Sequence, residues 1–298
     1  MPVFRHALSR FVNLLFSRGL DLGVRDMSSG FRLYNSHALD LCAIESKDFD
    51  ILQELLVKAL ANGYTVIEIP FTYQPRRYGS SQARVLCFGL AYIKTFTRLW
   101  KLRNSIISAD YDYRAYDSLV VIQRYWQRKR YQHIVELVPD HARCIDIGCG
   151  SSRILERLPP GSVTLDILML KLRFARRLLP RLIQGSVMSL PIGKNCFPCV
   201  VCSQVIEHID SKSTLVELDR ILEPGGMLVL GTPDYGKWQW NVIEWFYGKL
   251  LPQSYADEHV THYTYHELIQ EFVEKRGYTL IATRYILQGE LIFAFRKP

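Results

Sequence analysis

The chain has 298 residues, of which 48% are hydrophobic and 22% are charged, so its length and apolar content fit a globular protein of about two domains. No segment is low in complexity, which excludes a disordered or low-complexity chain. The formal net charge is +8, and residues 1–105 carry 14 Lys and Arg against 8 Asp and Glu. This basic first third indicates an anionic neighbour, such as a phospholipid surface, a lipid phosphate or a nucleic acid, or else an ordinary solvated surface.

The cysteines and the apolar segments restrict the cellular location. Seven cysteines, an odd number, give no disulfide framework and favour a reducing cytoplasm. Arginines interrupt the apolar residues of Met1–Leu20, and the apolar segment Val85–Ile93 is too short to span a bilayer. We therefore expect a cytoplasmic protein that is at most peripheral to the inner face of the membrane.

Residues 1–105 are predicted to form a small mixed α/β unit. The predicted elements are a basic amphipathic helix at Phe4–Arg18, a helix at Asp50–Ala61, a strand at Thr65–Phe71 and an interfacial helix at Phe88–Arg103. Arginines stand beside glycine and serine in DMSSGFRLY and QPRRYGSSQAR. This composition is typical of sugar-phosphate sites and also of ordinary loops.

The segments DMSSGFRLY, IEIPF and RRYGSSQ resemble the C-terminal part of family 2 glycosyltransferases of the polyprenyl-phosphate (dolichol-phosphate mannose synthase) type. The resemblance implies that residues 29–32, Ser-Gly-Phe-Arg, lie near an acceptor and catalytic region. It also implies a basic loop of Arg77, Gly79 and Ser81, where Gln82 replaces the usual lysine. The family's nucleotide-sugar fold and Asp-x-Asp motif would precede this region. We therefore expect a truncated segment and no glycosyl transfer by this chain alone.

After a linker expected over residues 103–118, strands and helices alternate, which predicts an open and mostly parallel sheet. The domain boundary is placed near residue 106, which gives domains 1–105 and 106–298. The predicted strands are Arg143–Ile147, Ser162–Leu165, Arg181–Gln184, Cys199–Ser203, Met227–Gly231 and a hairpin of Tyr278–Ile286 and Glu290–Arg296 turned at Gln288-Gly289. The predicted helices are Leu119–Val138, Ser151–Leu158, Leu168–Leu179, Lys212–Leu222 and one beginning with a capping box at Thr264.

The segment CIDIGCGSSR, residues 144–153, places two glycines between a strand and a helix, as in nucleotide-like ligand sites. A triphosphate loop requires a lysine, which this segment lacks. A dinucleotide fingerprint requires a small residue where Arg153 stands. A sulfonium nucleoside carries no phosphate, so its site requires fewer special residues. Gly148 and Gly150 let the backbone approach the ligand, and Asp166, at the end of the next strand, supplies the acid that binds the ribose.

A second resemblance covers residues 106–298. The segments IDIGCGSS, LDI at 165–167, SLPI at 189–192, VVCSQVIEHI at 200–209 and ELDRILEPGGMLVLGTPD at 217–234 resemble the class I S-adenosylmethionine-dependent methyltransferases with a Glu-His motif after strand four. The resemblance implies a Rossmann-like seven-stranded α/β sheet and S-adenosyl-L-methionine as cofactor. The implied cofactor-binding residues are Asp146, Gly148, Cys149 and Gly150 at the methionine end, Asp166 and Ile167 at the ribose and adenine, Ser186 and Val187 at the adenine, and Ser203 and Gln204 beside the cofactor. Ser186 replaces a common aspartate and Pro198 follows Phe197 where aspartate is usual, so we expect weaker cofactor binding.

Candidate catalytic bases are His208, His259 and His262, because histidine titrates near neutral pH and a hydroxyl acceptor must lose a proton. The sequence leaves the choice among them open. No metal site is expected. Cys199 and Cys202 of the CxxCxxC segment fall on opposite faces of a predicted strand, and His259, His262 and His266 beside Glu258 are typical of a loop and a helix cap.

The predicted function is methyl transfer, with O-methylation of a small-molecule, sugar or lipid-linked glycan acceptor favoured. Five aromatics, Trp238, Trp240, Trp245, Phe246 and Tyr247, occupy the region where such folds build an acceptor lid, although they could equally be lid core. Two alternatives stay open: a glycosyltransferase subunit that needs a partner, and a non-catalytic cofactor-binding module. A nucleic-acid partner is not expected, because residues 106–298 are nearly neutral.

Overall fold

The computed structural model describes residues 3–72, 85–209, 212–250 and 259–298. The chain divides into two compact units, Met1–Ala109 and Asp110–Pro298. No helix in these described ranges is long and apolar enough to cross a membrane.

The described part of the first unit is built from helices around a small apolar core. Its helices are α1 (Val3–Gly19), α2 (Ser36–Asp40), α3 (Ile51–Ala61) and α4 (Val85–Arg103). The core includes Phe16, Met27, Val57 and Leu99, each at most 1% exposed. The buried Arg103 guanidinium donates to the carbonyl oxygens of Leu20 at 3.2 Å and Asp21 at 3.1 Å.

The strand predicted at Thr65–Phe71 does not form within the described residues. The segment pairs with no described neighbour, and Ile67 and Ile69 are 84% and 80% exposed. An alternating pattern specifies a strand only when a second strand is present to satisfy its backbone groups. The predicted basic loop at Arg77, Gly79 and Ser81 lies outside the described residues.

The second unit contains a seven-stranded sheet in the order β3-β2-β1-β4-β5-β7-β6. Its strands are β1 (Cys144–Ile147), β2 (Val163–Asp166), β3 (Leu182–Gln184), β4 (Phe197–Ser203), β5 (Leu222–Pro233), β6 (Thr279–Ile286) and β7 (Glu290–Arg296). The first five strands are parallel, and β7 pairs antiparallel with both β5 and β6. The predicted Rossmann-like fold with a C-terminal hairpin is therefore confirmed.

Helices cover this sheet, and its central strands are buried on both faces. The α-helices described in this unit are α5 (Tyr111–Ala115), α6 (Val121–Leu137), α7 (Met169–Ala175), α8 (Ser213–Ile221), α9 (Trp238–Leu250) and α10 (Tyr265–Ile269). Of these, α6, α7, α8 and α10 pack against the sheet. The capping box predicted at Thr264 is confirmed, with both of its reciprocal hydrogen bonds to Glu267 present. Cys202 packs with the cluster that contains Leu218, and Cys199 with the one that contains Ile134, so the two cysteines face opposite sides of β4.

Three local predictions need correction. The helix expected at Ser151–Leu158 is a single 3-10 turn at Arg153–Glu156. Pro159 also disfavours helical backbone at Leu158, where the helix was expected to end. Strand β4 begins two residues earlier than predicted, and its register shifts between Phe197 and Cys199, where Pro198 lacks a backbone donor. The hairpin turn covers Leu287–Gly289, one residue more than the predicted Gln288-Gly289, and both Leu287 and Gln288 have positive φ.

Candidate active site

The loop after β1 requires glycine at two positions. Gly148 has φ +67° and Gly150 has φ +53°, in the left-handed region. A Cβ on Gly148 would lie 2.3 Å from Cγ2 of Val205, and one on Gly150 would lie 2.8 Å from Oδ2 of Asp112. The backbone of this loop is therefore both sharply bent and closely packed.

Asp166, at the end of β2, links the glycine loop after β1 to the loop that follows β2. Its carboxylate accepts hydrogen bonds from the backbone N–H of Gly150 at 2.9 Å and of Leu168 at 2.8 Å. Burial raises the pKa of Asp166, and these two backbone hydrogen bonds oppose the increase. The acid thus faces the glycine bend, as the sequence pattern required.

Asp146 adds a second buried carboxyl group beside the loop. It is 4% exposed, and burial, followed by the nearby Asp166, raises its pKa to about 8. The cavity described below is therefore bordered by acidic groups whose ionisation is costly without a cation.

Asp112, on α5, is a site residue that the sequence analysis missed. Its backbone N–H donates to Ser151 Oγ at 2.9 Å, and its Oδ2 accepts from Ser151 N at 3.2 Å. Lys171 lies 3.4 Å from the same oxygen. Burial alone would raise the pKa of Asp112, but Lys171 and Ser151 lower it. Asp112 lies in the linker predicted over residues 103–118. The alternating Asp and Tyr of DYDYRAYD, residues 110–117, is the one local feature that could have indicated a site residue there.

A cavity of about 400 Å³ opens beside the glycine loop. Its wall includes the loop and the residues that follow β1 and β4, together with residues of α6 and α9. Its lining residues include the apolar Ile122, Trp126, Trp240, Val242 and Ile243 and also Asp112, Gln123, Gln127, Arg130, Asp146, Gly148, Cys149, Gly150, Ser203, Gln204, Glu244 and His259. This volume and this mixture are typical of small-molecule sites.

Six of the ten expected cofactor residues line this cavity, namely Asp146, Gly148, Cys149, Gly150, Ser203 and Gln204. The remaining four lie outside its lining. Ile167 is 62% exposed, and Val187 is 7% exposed within the apolar core. Ser186 Oγ accepts a hydrogen bond from Met188 N at 3.3 Å.

Two residues that line the cavity each carry a buried polar atom without a partner. Ser203 Oγ and Gln204 Nε2 are buried without a hydrogen-bond partner in the protein. Gln204 also has φ +59°, an uncommon backbone conformation for a residue with a side chain. Since buried polar groups are normally satisfied, these atoms fit the edge of a polar cofactor held against the loop.

The three candidate bases lie close together after β4 and α9. The rings of His208 and His259 are 4.8 Å apart, and the ring of the exposed His262 lies 4.1 Å from that of Tyr235. His259 Nδ1 lies 2.7 Å from Tyr235 Oη and 3.0 Å from Glu244 Oε1. Of the three histidines, His259 alone lines the cavity.

Glu207 and Glu244, neither of them predicted, place two carboxyl groups beside these histidines. Glu207 is fully buried, and burial raises its pKa to about 7. Burial would also raise the pKa of Glu244, but hydrogen bonds with His259 and Tyr235 lower it. The Glu-His pair after β4 was the signal for Glu207, whereas nothing in the local sequence marks Glu244.

Comparison with known proteins places the second unit in a chemical class. Residues 145–230 match the family described as a methyltransferase domain. A solved S-adenosylmethionine-dependent methyltransferase from Thermotoga maritima, described as a possible histamine N-methyltransferase, has the same fold with a TM-score of 0.51 and 19% identity, over 61% of this chain and 95% of that one. Residues 145–230 thus match a methyltransferase domain, and the cofactor that this match implies is S-adenosyl-L-methionine.

Two curated relatives share shorter stretches. A polyprenol monophosphomannose synthase from Mycolicibacterium smegmatis is 33% identical over 84 residues, which are 27% of this chain and 32% of that protein. An uncharacterized 37.1 kDa transposon protein from Streptomyces fradiae is 30% identical over 129 residues, 39% of this chain and 36% of that protein. The chain thus spans about a third of the length of either relative.

Proposed function

We propose that the second unit transfers a methyl group from S-adenosyl-L-methionine to an oxygen of a small-molecule, sugar or lipid-linked glycan acceptor. The observation that carries this proposal is the cavity beside the glycine loop. Gly148 and Gly150 line it together with Trp126, Trp240 and Ile243. Aromatic rings bind sugar faces and apolar chains, and either occurs in such acceptors.

The cofactor residues divide by position within this proposal. Asp146, Gly148, Cys149, Gly150, Ser203 and Gln204 would contact the methionine end, since they line the cavity. Asp166, Ile167, Ser186 and Val187 would serve the ribose and adenine from the neighbouring strand ends. Asp166 would do so while holding the loop through Gly150.

Incubation of the purified chain with methyl-labelled S-adenosyl-L-methionine and fractionated cell extract tests the proposal. We expect label in a glycan or lipid fraction, in a linkage stable to base, as an ether is. Trp240→Ala is expected to reduce labelling at least tenfold, because Trp240 is 8% exposed and lines the cavity. Trp238→Ala is the matched control, since Trp238 is 70% exposed and does not line it. Cofactor binding by calorimetry without labelling of any fraction would identify a non-catalytic binding module instead.

A second function is proposed for the first unit: it is part of a polyprenyl-phosphate glycosyltransferase and needs a partner chain. Phe31, Leu33, Ile67 and Ile69 are 80–101% exposed, and the ring of Phe31 lies 5.7 Å from that of Phe71. Nearby, the backbone N–H groups of Arg25 and Asp26 donate to Glu68 at 2.9 and 3.0 Å. Such an apolar surface fits burial against a further sheet. The short similarity to the mannose synthase supports the same conclusion. Turnover of a nucleotide sugar by the purified chain alone would contradict it.

Peripheral contact with an anionic membrane is proposed for α4. Ile93 is 64% exposed and Trp100 41% exposed on this helix, beside Lys94 and Lys101, which suits an interfacial helix. The chain is expected to sediment with phosphatidylglycerol vesicles and not with phosphatidylcholine vesicles. Equal sedimentation with both would exclude the electrostatic contribution.

A further inference from the structure

Glu207, His208 and His259 form a compact group of potential metal ligands. One donor atom from each lies within 4.8 Å of the other two. The main chain fixes the group, because Val260 N and Thr261 N donate to the carbonyl oxygen of Glu207 at 2.8 and 2.9 Å. These bonds hold the segment that carries His259 against the turn that carries Glu207 and His208.

One carboxylate oxygen of the buried Glu207 side chain lacks a hydrogen-bond donor. It is 0% exposed, and Oε2 accepts from Thr232 Oγ1 at 3.2 Å. Its Oε1 is buried without a hydrogen-bond partner. A buried carboxylate oxygen without a donor is costly, and a bound cation removes that cost. This oxygen is therefore a second and independent indication of a ligand.

His259 is oriented as metal-binding histidines usually are. Its Nδ1 lies 3.0 Å from Glu244 Oε1 and 2.7 Å from Tyr235 Oη, so Nε2 remains as the ligand atom. A histidine ligand commonly directs its other ring nitrogen to a carboxylate, which fixes the ring and raises its basicity. His262 lacks this arrangement, since its ring lies against that of Tyr235 and is exposed.

We propose that Glu207, His208 and His259 bind one divalent transition-metal ion, with Glu244 and Tyr235 orienting His259. Two imidazoles and one carboxylate suit Zn²⁺ or a neighbouring first-row ion better than Mg²⁺ or Ca²⁺, which prefer oxygen ligands. The donor atoms need to move together by about 1 Å to reach usual bond lengths.

The site would act on the acceptor and in this respect rests on the proposed function. Three protein ligands leave coordination positions open, as in catalytic zinc sites. Because His259 lines the cavity, an acceptor hydroxyl can occupy such a position. A metal-bound hydroxyl has a lowered pKa, and its proton then passes to cavity water. His208 and His259 would accordingly be ligands rather than the bases suggested by the sequence.

Metal titration tests the site without cofactor or acceptor. The full chain is stripped with a chelator, dialysed and titrated with Co²⁺, followed by visible absorption, and with Zn²⁺, followed by calorimetry. We expect about one equivalent bound with micromolar or lower Kd. His259→Asn and Glu207→Gln are each expected to weaken binding at least 100-fold, and Glu244→Gln about 10–100-fold. His262→Asn is the matched control and should bind like the original chain.

Circular dichroism and the Tm of each variant establish that it is folded. Absence of stoichiometric binding by the original chain would overturn the proposal, as would equal losses in His262→Asn and His259→Asn. The two proposals fail separately. Metal binding without methyl transfer leaves the site standing, and full methyl transfer by stripped protein that binds no metal leaves only the methyltransferase function.

Discussion

Gly148 is the position where one added methyl group should disturb the site most. Its φ is +67°, and a Cβ there would lie 2.3 Å from Cγ2 of Val205 and 3.3 Å from Cγ1. Left-handed backbone costs an L residue about 1–2 kcal/mol. Overpacking adds about 1–3 kcal/mol. We therefore expect Gly148→Ala to lower the free energy of unfolding of the second unit by about 2–5 kcal/mol.

A comparison with Gly225→Ala separates the cost of left-handed backbone from the cost of overpacking. Its φ is +76°, but nothing lies within 4 Å of a Cβ built there. Gly225→Ala should incur only the backbone cost, so the variants should differ by about 1–3 kcal/mol. For a unit of this size the difference corresponds to about 2–12 °C in Tm, measured by circular dichroism.

Two further measurements connect the clash to the cofactor. Calorimetry with S-adenosyl-L-methionine should show at least a tenfold weaker Kd for Gly148→Ala and an unchanged Kd for Gly225→Ala. Val205→Ala removes the clashing methyl carbons, so the double variant should be more stable than the sum of the two single changes predicts. Equal stability losses in the two glycine variants, together with additive behaviour of the double variant, would refute the argument.

Three other substitutions test separate features of the second unit. Burial raises the pKa of Asp146 to about 8 in the folded protein. The protonated carboxyl group therefore stabilises the fold fully below its unfolded pKa, and this stabilisation declines as the pH rises and is lost above about pH 8, by at most about 1.4 kcal/mol per pH unit. Asp146→Asn should remove this decline, which Tm values measured between pH 5 and 8 would show. Glu290 is fully buried and accepts two 2.6 Å hydrogen bonds from Arg130, so Glu290→Ala should cost about 3–5 kcal/mol in urea unfolding, and Arg130→Met in the same chain should recover part of it. Thr264→Ala removes the helix cap and should cost about 1 kcal/mol, with a Tm loss above about 8 °C contradicting a purely local role.

The parts of the site that could be predicted are those whose signals are local. Gly148 and Gly150 follow a strand directly, and Asp166 ends the next strand, so the sheet geometry alone brings them to one edge. The apolar strands were recognisable for a related reason. The central strand β1 is buried along its whole length and is apolar, apart from the candidate site residue Asp146.

The remaining residues depend on contacts between distant parts of the chain. Asp112 meets Ser151 across 39 residues, and Thr261 bonds to the carbonyl of Ile209 across 52. Neither pairing leaves a periodic or compositional trace. The strand expected at Thr65–Phe71 was predicted from a local pattern that is typical of strands. It does not form because the described residues provide no neighbouring strand.

The charges around the glycine bend bear on the class of ligand independently of the missing lysine and of Arg153. Three carboxyl groups, Asp112, Asp146 and Asp166, lie near the bend, and the buried Lys171 is the cation paired with the first of them. A phosphate group would add negative charge beside Asp146, whose pKa is already raised by burial and by Asp166. A sulfonium brings a positive charge to the same place and relieves that repulsion. The acidic setting is therefore compatible with the positively charged cofactor that the match to a methyltransferase domain implies.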